Sequence, residues 1–483
     1  MKVKKIISLI LTVALLFCFT ACGNGSNLTS YNLEIEYEND MILVKEECDY
    51  VNNSPFTLTE IKFNMYGNAY RENAKFPALS PDKIFAAYGG NQSYGFIDVE
   101  SVLLNGESVD FTIGGADLNV LTIPLSTPLK EGQTAQITIT FKVKLAHVKH
   151  RLGVFDNVVM LGNFYPIACV LDKDGNFYEC AYYNIGDPFY SDVANYDVSV
   201  KVPSEYTISS SGTATNVLTG GAYTTYSYIL KNARDFALTL SKDYKIISGK
   251  VGDVVLNYYY IDDLDPSYSF KIASDCLNTY SKLFGDYPYD CLSISEVPFI
   301  LGGMEYPGLC YISNNLTAEQ KTEVISHEIA HEWWYAVVGV NEIENGYIDE
   351  GLAQISSALF FENNPGYGSS LKEHLNKARL SYDGFKEIYK IAKKDLLEVI
   401  DRPLYEFNTE FEYSYLTYVL TEVIFGEVID MVGVDDFTKT LKHVYSTYKF
   451  QNITKEQFLD AFKKCCKMDV SGYIASSLSG LTK

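Results

Sequence analysis

Residues 326–334 read Ser-His-Glu-Ile-Ala-His-Glu-Trp-Trp and place two histidines four positions apart in a stretch that is typical of a helix. At this spacing His327 and His331 leave the same face of the helix, one turn apart. Two neutral imidazoles can occupy two corners of a tetrahedral zinc site. Glu328 directly follows the first histidine, so its carboxylate is expected beside the metal, where a general base for water must lie. The segment therefore predicts a catalytic metal centre.

A catalytic zinc site also needs a third protein ligand and an open position. Glu350 is the candidate, because it stands near the start of an apolar stretch, residues 349–363, that has the pattern of a second helix. A His-Glu-x-x-His pentapeptide also arises by chance, but here a carboxylate follows on the next helix, and two of the 6 histidines fall in the motif. We therefore expect one zinc ion per chain, held by His327, His331 and Glu350.

The composition is that of a globular protein and argues against a nucleic-acid partner. Hydrophobic residues make up 47% of the 483 residues and charged residues 21%, so the chain can bury large cores and form two or three domains. The net charge of -22 and the pI of about 4.7 would repel a polyanion, whereas a strongly acidic surface suits solubility outside a cell.

The N-terminus has the pattern of an export signal. A lysine-rich start precedes an apolar run at residues 6–19, which is too short for a comfortable membrane span. The small residues that follow lead directly to Cys22 and resemble a bacterial lipobox. We predict a signal peptide over residues 1–21, lipidation of the Cys22 thiol, and a tether over residues 22–30. This would anchor the protein at the outer face of a bacterial cell membrane; the alternative is an ordinary secretory signal.

The remainder of the chain divides into a strand-rich part and a helix-rich part. Residues 31–247 contain runs that alternate between apolar and polar side chains, for example residues 135–141 and 196–202, with turn signals between the runs. This pattern predicts an antiparallel β-domain with one solvent-facing side. Residues 248–483 carry helical periodicity and include the histidine motif. We therefore expect an α+β fold, with an N-terminal β-domain followed by an α-rich catalytic domain.

Periodicity and capping signals place the helices of the second domain. Thr454 and Gln457 have the spacing of a capping box at the start of the last predicted helix. The predicted helices cover residues 267–283, 318–338, 349–363, 369–392, 413–432, 435–448 and 455–467.

Other potential metal ligands do not form convincing sites. His147 and His150 lie three apart in a strand-like stretch, where their side chains point to opposite faces, so we expect ordinary surface residues. The cysteines include no C-x-x-C pair, which argues against a second, thiolate zinc site. An exported chain can pair some of its cysteines, but the connectivity cannot be read from the sequence.

Three features together resemble the zinc metallopeptidases of the aminopeptidase N and leukotriene hydrolase family, a thermolysin-like group. The first is the histidine motif followed, after eighteen residues, by Glu350. The second is residues 349–353, Asp-Glu-Gly-Leu-Ala, which are similar to the family's Asn-Glu-Gly-Phe-Ala. The third is residues 302–306, Gly-Gly-Met-Glu-Tyr, which are similar to its Gly-Ala-Met-Glu-Asn. Softer similarity extends over nearly the whole mature chain.

The resemblance implies a set of roles. Glu328 would take a proton from the attacking water and deliver it to the leaving amine. Glu305 would pair with the free α-ammonium of a peptide substrate and so limit cleavage to the first residue. A tyrosine hydroxyl would stabilise the oxyanion, and we choose Tyr418 for it, with Tyr415 as the alternative. The implied substrate-binding residues are Gly302, Gly303, Met304 and Glu305.

Departures from the family pattern leave alternatives open. Tyr306 replaces an asparagine, which would alter how the substrate N-terminus is held, and Glu332 adds negative charge near the metal. The sequence favours an extracytoplasmic zinc aminopeptidase that acts on peptides. One alternative is a zinc peptidase of different end specificity. The other is an inactive surface-binding lipoprotein with a structural zinc site. A structural site requires a fourth protein ligand and does not require a carboxylate at Glu328.

Overall fold

A computed structural model of the protein describes residues 28–481. The predicted signal peptide, the lipidation site Cys22 and the first part of the tether lie outside the described residues. Within the described part, none of the helices combines the length and the apolar character needed to cross a bilayer. A strand-rich N-terminal part is followed by a helix-rich part, so the predicted α+β fold class is confirmed.

The largest sheet of the N-terminal part has eight strands. In spatial order they are β14 (Thr213–Gly220), β15 (Tyr223–Ala233), β12 (Ala194–Pro203), β1 (Ser30–Glu38), β2 (Met41–Val51), β8 (Thr134–Lys144), β4 (Phe96–Leu104) and β5 (Glu107–Ser108). The alternating burial along β1, β2 and β8 agrees with the predicted pattern. The sheet is mixed, however, because β1 pairs parallel with β12. The long connection between these strands permits the crossover that a parallel pair needs, which the local pattern could not reveal.

Two four-stranded sheets complete the N-terminal part. One is formed by β11 (Ile167–Ala168), β3 (Leu58–Asn64), β7 (Val120–Leu129) and β6 (Thr112–Gly114). The other is formed by β13 (Thr207–Ser210), β16 (Leu238–Ser241), β10 (Val158–Leu161) and β9 (Leu152–Phe155). The short helix α1 (Ile84–Tyr88) lies in a connection. The second of these sheets contacts the C-terminal part directly, since Tyr311 donates its hydroxyl proton to the Leu238 carbonyl at 3.1 Å.

A five-stranded sheet forms the floor of the C-terminal part. Its spatial order is β17 (Lys245–Val251), β18 (Val254–Tyr260), β19 (Cys291–Val297), β21 (Leu309–Ser313) and β20 (Gly303–Tyr306). β19 and β21 are buried along their whole length, as expected of strands covered on both faces. β17 crosses the predicted domain boundary at residue 247, so the sheet of the second domain begins slightly before it. β20 stands at one edge of the sheet.

The helices follow the predicted order. They are α2 (Pro266–Phe284), α3 (Ala318–Ala330), α4 (Glu342–Asn363), α5 (Leu371–Ile391), α6 (Glu410–Ser414), α7 (Thr421–Val432), α8 (Val434–Tyr448), α9 (Lys455–Cys465) and α10 (Ser471–Leu478). The short parallel pair β22 (Val338–Gly339) and β23 (Gln451–Asn452) ties the start of this region to its end. The capping box predicted at Thr454 and Gln457 is confirmed. The α10 helix was not anticipated from the sequence.

Two predicted helix ends are wrong. α3 ends at Ala330 rather than near residue 338, and the chain continues in wider turns, with the Ala336 amide donating to the His331 carbonyl at 3.0 Å. Residues 333–338 have apolar, buried side chains. Their pattern suggested a continued helix, but the backbone does not form one. α4 begins at Glu342 rather than 349, because the Asn341 side chain caps its first amides.

Arg234 fastens the two parts of the chain together. It is 2% exposed, and its guanidinium donates to the carbonyls of Tyr335 and Gln451, both at 2.7 Å. A Cβ atom at Gly339 would lie 2.1 Å from the Arg234 guanidinium carbon, so only glycine fits beneath this side chain. The contact therefore fixes the segment that links α3 to α4 against the β-domain.

Of the two histidines expected at the surface, His147 and His150, one is buried. His147 is exposed, but His150 is buried at 2%, and its Nδ1 lies 2.5 Å from the Tyr70 hydroxyl. The stretch is a loop rather than a strand, so the alternation rule does not apply there. Within residues 28–481 the eight cysteines form no disulfide.

Glu46 is a buried carboxyl group on the core face of β2. Ile42, Val44 and Cys48 share this face, and neither carboxylate oxygen of Glu46 has a hydrogen-bond partner. Burial raises its pKa well above the ordinary value. Because the folded state favours the neutral form, stability falls as the pH rises from the unfolded-state pKa toward the folded-state pKa.

We therefore expect Glu46→Gln to raise the apparent Tm at pH 8 by on the order of a few degrees, and to have little effect near pH 4, where the wild-type side chain is already neutral. Thermal unfolding of both proteins at the two pH values measures this. Glu47→Gln, on the exposed face of the same strand, is the matched control. A variant no more stable than wild type at pH 8 would contradict the interpretation.

Candidate metal centre and active site

Three donor atoms converge where α3 and α4 pack together. His327 Nε2 lies 3.1 Å from His331 Nε2, and Glu350 Oε2 lies 3.2 Å and 3.3 Å from these two nitrogens. Tetrahedral zinc with bonds near 2.0–2.1 Å separates its ligand atoms by about 3.3 Å. The triangle therefore has the size that a zinc ion requires, and its two imidazoles and one carboxylate are donors that zinc accepts.

The local sequence explains how the donors reach this geometry. A capping box of Thr317 and Gln320 starts α3, whose last turn carries His327, with His331 directly after it. α4 kinks at Asn345, where the backbone is not helical, and Glu350 lies in the straight part that follows. Glu350 is thus inside α4 rather than near its start, because the cap lies further upstream than the sequence indicated.

Asp349 contacts the ring nitrogen of His331 that is not part of the donor triangle. Asp349 is 2% exposed, and its Oδ1 lies 2.7 Å from His331 Nδ1. A hydrogen bond at Nδ1 fixes the ring so that Nε2 faces the donor triangle, and it raises the basicity of that nitrogen. Burial acts to raise the pKa of the Glu350 carboxyl, but hydrogen bonds with His327 and His331 hold it well below its usual range.

Glu328 faces the cavity beside the triangle. Its side chain is buried, Oε2 has no hydrogen-bond partner, and burial raises its pKa to about 8. A Cβ atom at Gly303 would lie 2.3 Å from Glu328 Oε1. The sequence pointed to Gly303 as a place for close approach of a peptide, and the structure shows that the missing side chain also makes room for Glu328. The backbone φ of +94° at Gly302 is a conformation that favours glycine over other residues.

The alternation of β20 separates the residues of the Gly-Gly-Met-Glu-Tyr motif. Gly303 and Glu305 line the cavity, whereas Gly302 and Met304 do not. Met304 is buried and its sulfur accepts from Arg151 Nε at 3.1 Å, so its side chain is not placed to touch a substrate, in contrast to the prediction. Tyr306 also points away and donates to Asn163 Oδ1 at 3.2 Å. The expected effect of the asparagine-to-tyrosine replacement on the substrate N-terminus stays a prediction, but the Tyr306 hydroxyl itself does not reach the cavity.

The structure distinguishes the two tyrosine candidates. The Tyr418 hydroxyl donates to Glu350 Oε1, and its ring stacks on His327 with centroids 5.8 Å apart. Tyr415 instead stacks on Phe385 at 4.6 Å and does not line the cavity. Both lie in a π-helical turn, Tyr415–Leu420, a wide turn that is frequent at functional sites. Tyr418 is the residue positioned at the metal centre.

Glu332 does not line the cavity, and its expected effect on the charge near the metal stays a prediction. Its carboxylate accepts from the Gly308 amide at 3.0 Å and from the Tyr287 hydroxyl at 3.3 Å. Burial raises its pKa to about 8. It is turned away from the imidazoles, so it is not available as a fourth ligand.

Sequence reasoning missed the acidic groups around Glu305. Glu342 is 2% exposed and its carboxylate oxygens have no hydrogen-bond partner. One oxygen each of Glu305, Glu342 and Asp349 lie within 4.8 Å of one another. Asp187 also lines the cavity and forms a buried ion pair with Arg151. These residues lie far apart in the sequence, so no local pattern indicated that they would meet.

The centre opens into a cavity of about 500 Å³, a size that suits a short peptide. Its wall contains the donor residues His327, His331 and Glu350. It also contains Glu328, Glu305 and Tyr418. It is formed by α3, α4, α5, α6 and the π-helical turn with α7, together with β20 and loops that include some of the β-domain. Of the predicted site residues that the structure describes, all except Gly302 and Met304 therefore meet in one place.

The comparisons with known proteins agree with this arrangement. Residues 268–476 match the peptidase family M1 domain. Aminopeptidase 2 of Candida albicans is 27% identical over 220 residues, which are 42% of this chain and 23% of that protein. Aminopeptidase B of Mus musculus is 25% identical over 200 residues, 40% of this chain and 30% of that protein. The chain thus spans less than a third of the length of these curated relatives.

Solved structures show the same fold over nearly the whole chain. The M1 zinc metallopeptidase from Deinococcus radiodurans superposes with a TM-score of 0.67 at 16% identity, covering 95% of this chain and 96% of that one. A mutant of an M1 zinc metallopeptidase from that organism, bound to a Tyr-Ser-Ala substrate, gives a TM-score of 0.66 at 15% identity and covers 95% of each chain.

The fold is the one seen in M1 zinc metallopeptidase structures, and the donor set is one that zinc accepts. The part of the chain at residues 268–476 is similar to the peptidase family M1 domain. The resemblance inferred from the three sequence features is confirmed.

We expect Asp349→Ala to weaken zinc affinity by about 10- to 100-fold, because His331 loses the partner that orients it. Asp349→Asn should stay within a few-fold of wild type, since an amide oxygen accepts the same hydrogen bond from Nδ1. Competition of purified protein with a fluorescent zinc chelator measures both affinities. Equal affinities for the alanine variant and wild type would show that this contact does not orient the ligand.

Proposed function

We propose that this protein is a zinc-dependent aminopeptidase that removes N-terminal residues from peptides. The observation that carries the proposal is the position of Glu305. One of its oxygens lies within 4.8 Å of donor atoms of Glu328 and His331, and Oε1 is buried without a partner. A carboxylate in that state favours a cation such as the α-ammonium of a peptide. An α-ammonium held there puts the first peptide bond beside the donor triangle.

Each residue of the centre has a role in this reaction. His327, His331 and Glu350 would hold the zinc ion, which supplies Lewis-acid activation of water and of the scissile carbonyl when bound. Glu328, beside the triangle, accepts the proton of the attacking water and passes it to the leaving amine. The Tyr418 hydroxyl donates toward the oxygen that becomes negative. β20, at the edge of its sheet, offers backbone groups to an extended substrate.

The relatives support this substrate class. The curated relatives are named aminopeptidases, and one solved structure of the same fold holds a tripeptide substrate. The two alternatives find less support. Tyr306 turns away from the cavity, so it gives no reason for a different end specificity. A structural zinc site would need a fourth protein ligand and no base, whereas Glu328 faces the cavity and Glu332 is turned away.

The proposal includes export and membrane anchoring through Cys22, on the cell-surface side of a bacterial membrane. The support is the N-terminal sequence alone, in which a short apolar run leads to a lipobox-like Phe-Thr-Ala-Cys and a polar tether. An acidic, globular body of net charge -22 is compatible with that location.

Glu328→Gln should keep zinc and lower kcat by on the order of a thousandfold, because the amide cannot accept the proton. Zinc content and the hydrolysis of an aminoacyl fluorogenic substrate measure the two effects. Glu332→Gln is the matched control, a buried glutamate in the same segment that faces away, and it should change kcat by only a few-fold. Full turnover in the Glu328 variant would rule out its assignment as the base.

Capping the substrate tests the role of Glu305. We expect free aminoacyl substrates to be hydrolysed and their N-acetylated forms to be resistant, since acetylation removes the cation that Glu305 binds. A chelator should abolish the activity on the free forms. Paired kcat/KM values for a panel of substrates give the answer, and similar rates on free and acetylated forms would remove Glu305 from the account.

A further inference from the structure

The cavity wall is acidic one helical turn beyond the metal triangle. Residues four apart on a helix lie on one face, so each helix that contributes to the centre also contributes a neighbour beyond it. On α3 this neighbour is Glu323, on α4 it is Gln354, and on α7 it is Glu422, four residues after Tyr418. All three line the same cavity as the donor triangle. We call Glu323, Gln354 and Glu422 the second ring.

The second ring lies on the opposite side of the triangle from Glu305. Glu305 is near His331 and Glu328, within 4.8 Å of their donor atoms. Glu323 lies one turn before His327 on α3, so it is further from His331 than His327 is. A peptide with its N-terminus at Glu305 and its first peptide bond at the triangle therefore places its second residue beside the second ring.

Glu422 is the buried charge of this ring. It is 3% exposed, its Oε2 accepts from Gln354 Nε2 at 3.2 Å, and Oε1 has no hydrogen-bond partner. The nearby Lys377 is occupied, since its ammonium lies 2.8 Å from Glu323 and its side chain is 67% exposed. Burial raises the pKa of Glu422 to about 8, and a cation beside the carboxyl would favour its charged form.

The surroundings suit a long cationic side chain. Val324, Ala378 and Val419 line the same cavity and can pack against an aliphatic stem. His374, also in the wall, stacks on Phe361 and has its pKa lowered by burial, so it adds no positive charge. With Glu323 paired to Lys377, the carboxylate of Glu422 remains as the group that a substrate cation can reach.

We infer that the second ring forms the pocket for the second residue of the substrate and selects lysine or arginine there, through Glu422. This inference rests on the proposed aminopeptidase function and adds its substrate preference. An ammonium or guanidinium bound at Glu422 would satisfy the unpartnered oxygen with a charge-assisted hydrogen bond. A neutral side chain of the same length would leave that oxygen unsatisfied, and an acidic one would meet a like charge.

The test compares tripeptides that differ only in the second residue: Ala-Lys-Ala, Ala-norleucine-Ala and Ala-Glu-Ala. Wild type should release alanine from the lysine peptide with a kcat/KM on the order of tenfold above the norleucine peptide, and the glutamate peptide should be the poorest. In Glu422→Gln the lysine-to-norleucine ratio of kcat/KM should fall to about one to two, because the amide offers no carboxylate to the lysine ammonium.

Asp430→Asn is the matched control, because it removes one charge from an exposed position of the same helix and should leave the ratio unchanged. Binding of the three peptides to Glu328→Gln, measured by calorimetry, provides a readout that does not need turnover. Tighter binding of the lysine peptide supports the pocket.

The inference would be overturned if wild type showed no preference for lysine, or if Glu422→Gln kept the preference while folded, as judged by its apparent Tm. Hydrolysis of all three peptides at equal rates would remove the pocket and leave the proposed function intact. If none were hydrolysed, the proposed function would fail, and the binding comparison would decide the pocket alone.

Discussion

The structure depends on one packing contact, in which α3 and α4 bring two imidazoles and a carboxylate within 3.3 Å of one another. Three donors at this distance, buried together, require either a shared proton network or a metal ion. The size of the triangle and the hydrogen bond between Asp349 and His331 favour the metal. The capping box of α3, the kink in α4 and the Arg234 contact to the intervening segment all serve to hold this geometry.

The buried acidic groups around the centre also favour a bound metal ion. Glu305, Glu328, Glu342, Asp349 and Glu350 are all buried near His331, and a buried carboxylate without a partner is costly. Asp187 is balanced by Arg151, but the other carboxylates face few basic groups. A divalent ion and a substrate ammonium would supply the missing positive charge, one at the triangle and one at Glu305. An acidic site of this kind is suited to a cationic substrate end, and the second ring extends the same principle by one residue.

Local signals in the sequence were sufficient for much of the site. The spacing of His327 and His331 fixes their common helix face, and Glu328 must then lie beside them. The helix starts at Lys455 and Leu371, which have capping residues, were placed well, whereas the start capped by Asn341 was missed. The choice between Tyr418 and Tyr415 needed the structure, because a π-helical turn shifts which residue faces inward.

What the sequence could not supply depended on tertiary contacts. Apolar residues 333–338 satisfy a helical pattern, yet core packing winds them into turns. The parallel pairing of β1 with β12, the burial of His150, and the gathering of Arg151, Asp187 and Glu342 around Glu305 all join residues far apart in the chain. No local periodicity encodes such contacts.

The most direct test of the central claim is anomalous scattering at the zinc edge from crystals of the purified protein. The account predicts one strong peak per chain, with bonds of about 2.0–2.2 Å to His327 Nε2, His331 Nε2 and a Glu350 oxygen. Zinc bound only elsewhere, for example among Glu305, Glu342 and Asp349, or no zinc in an active preparation, would contradict it.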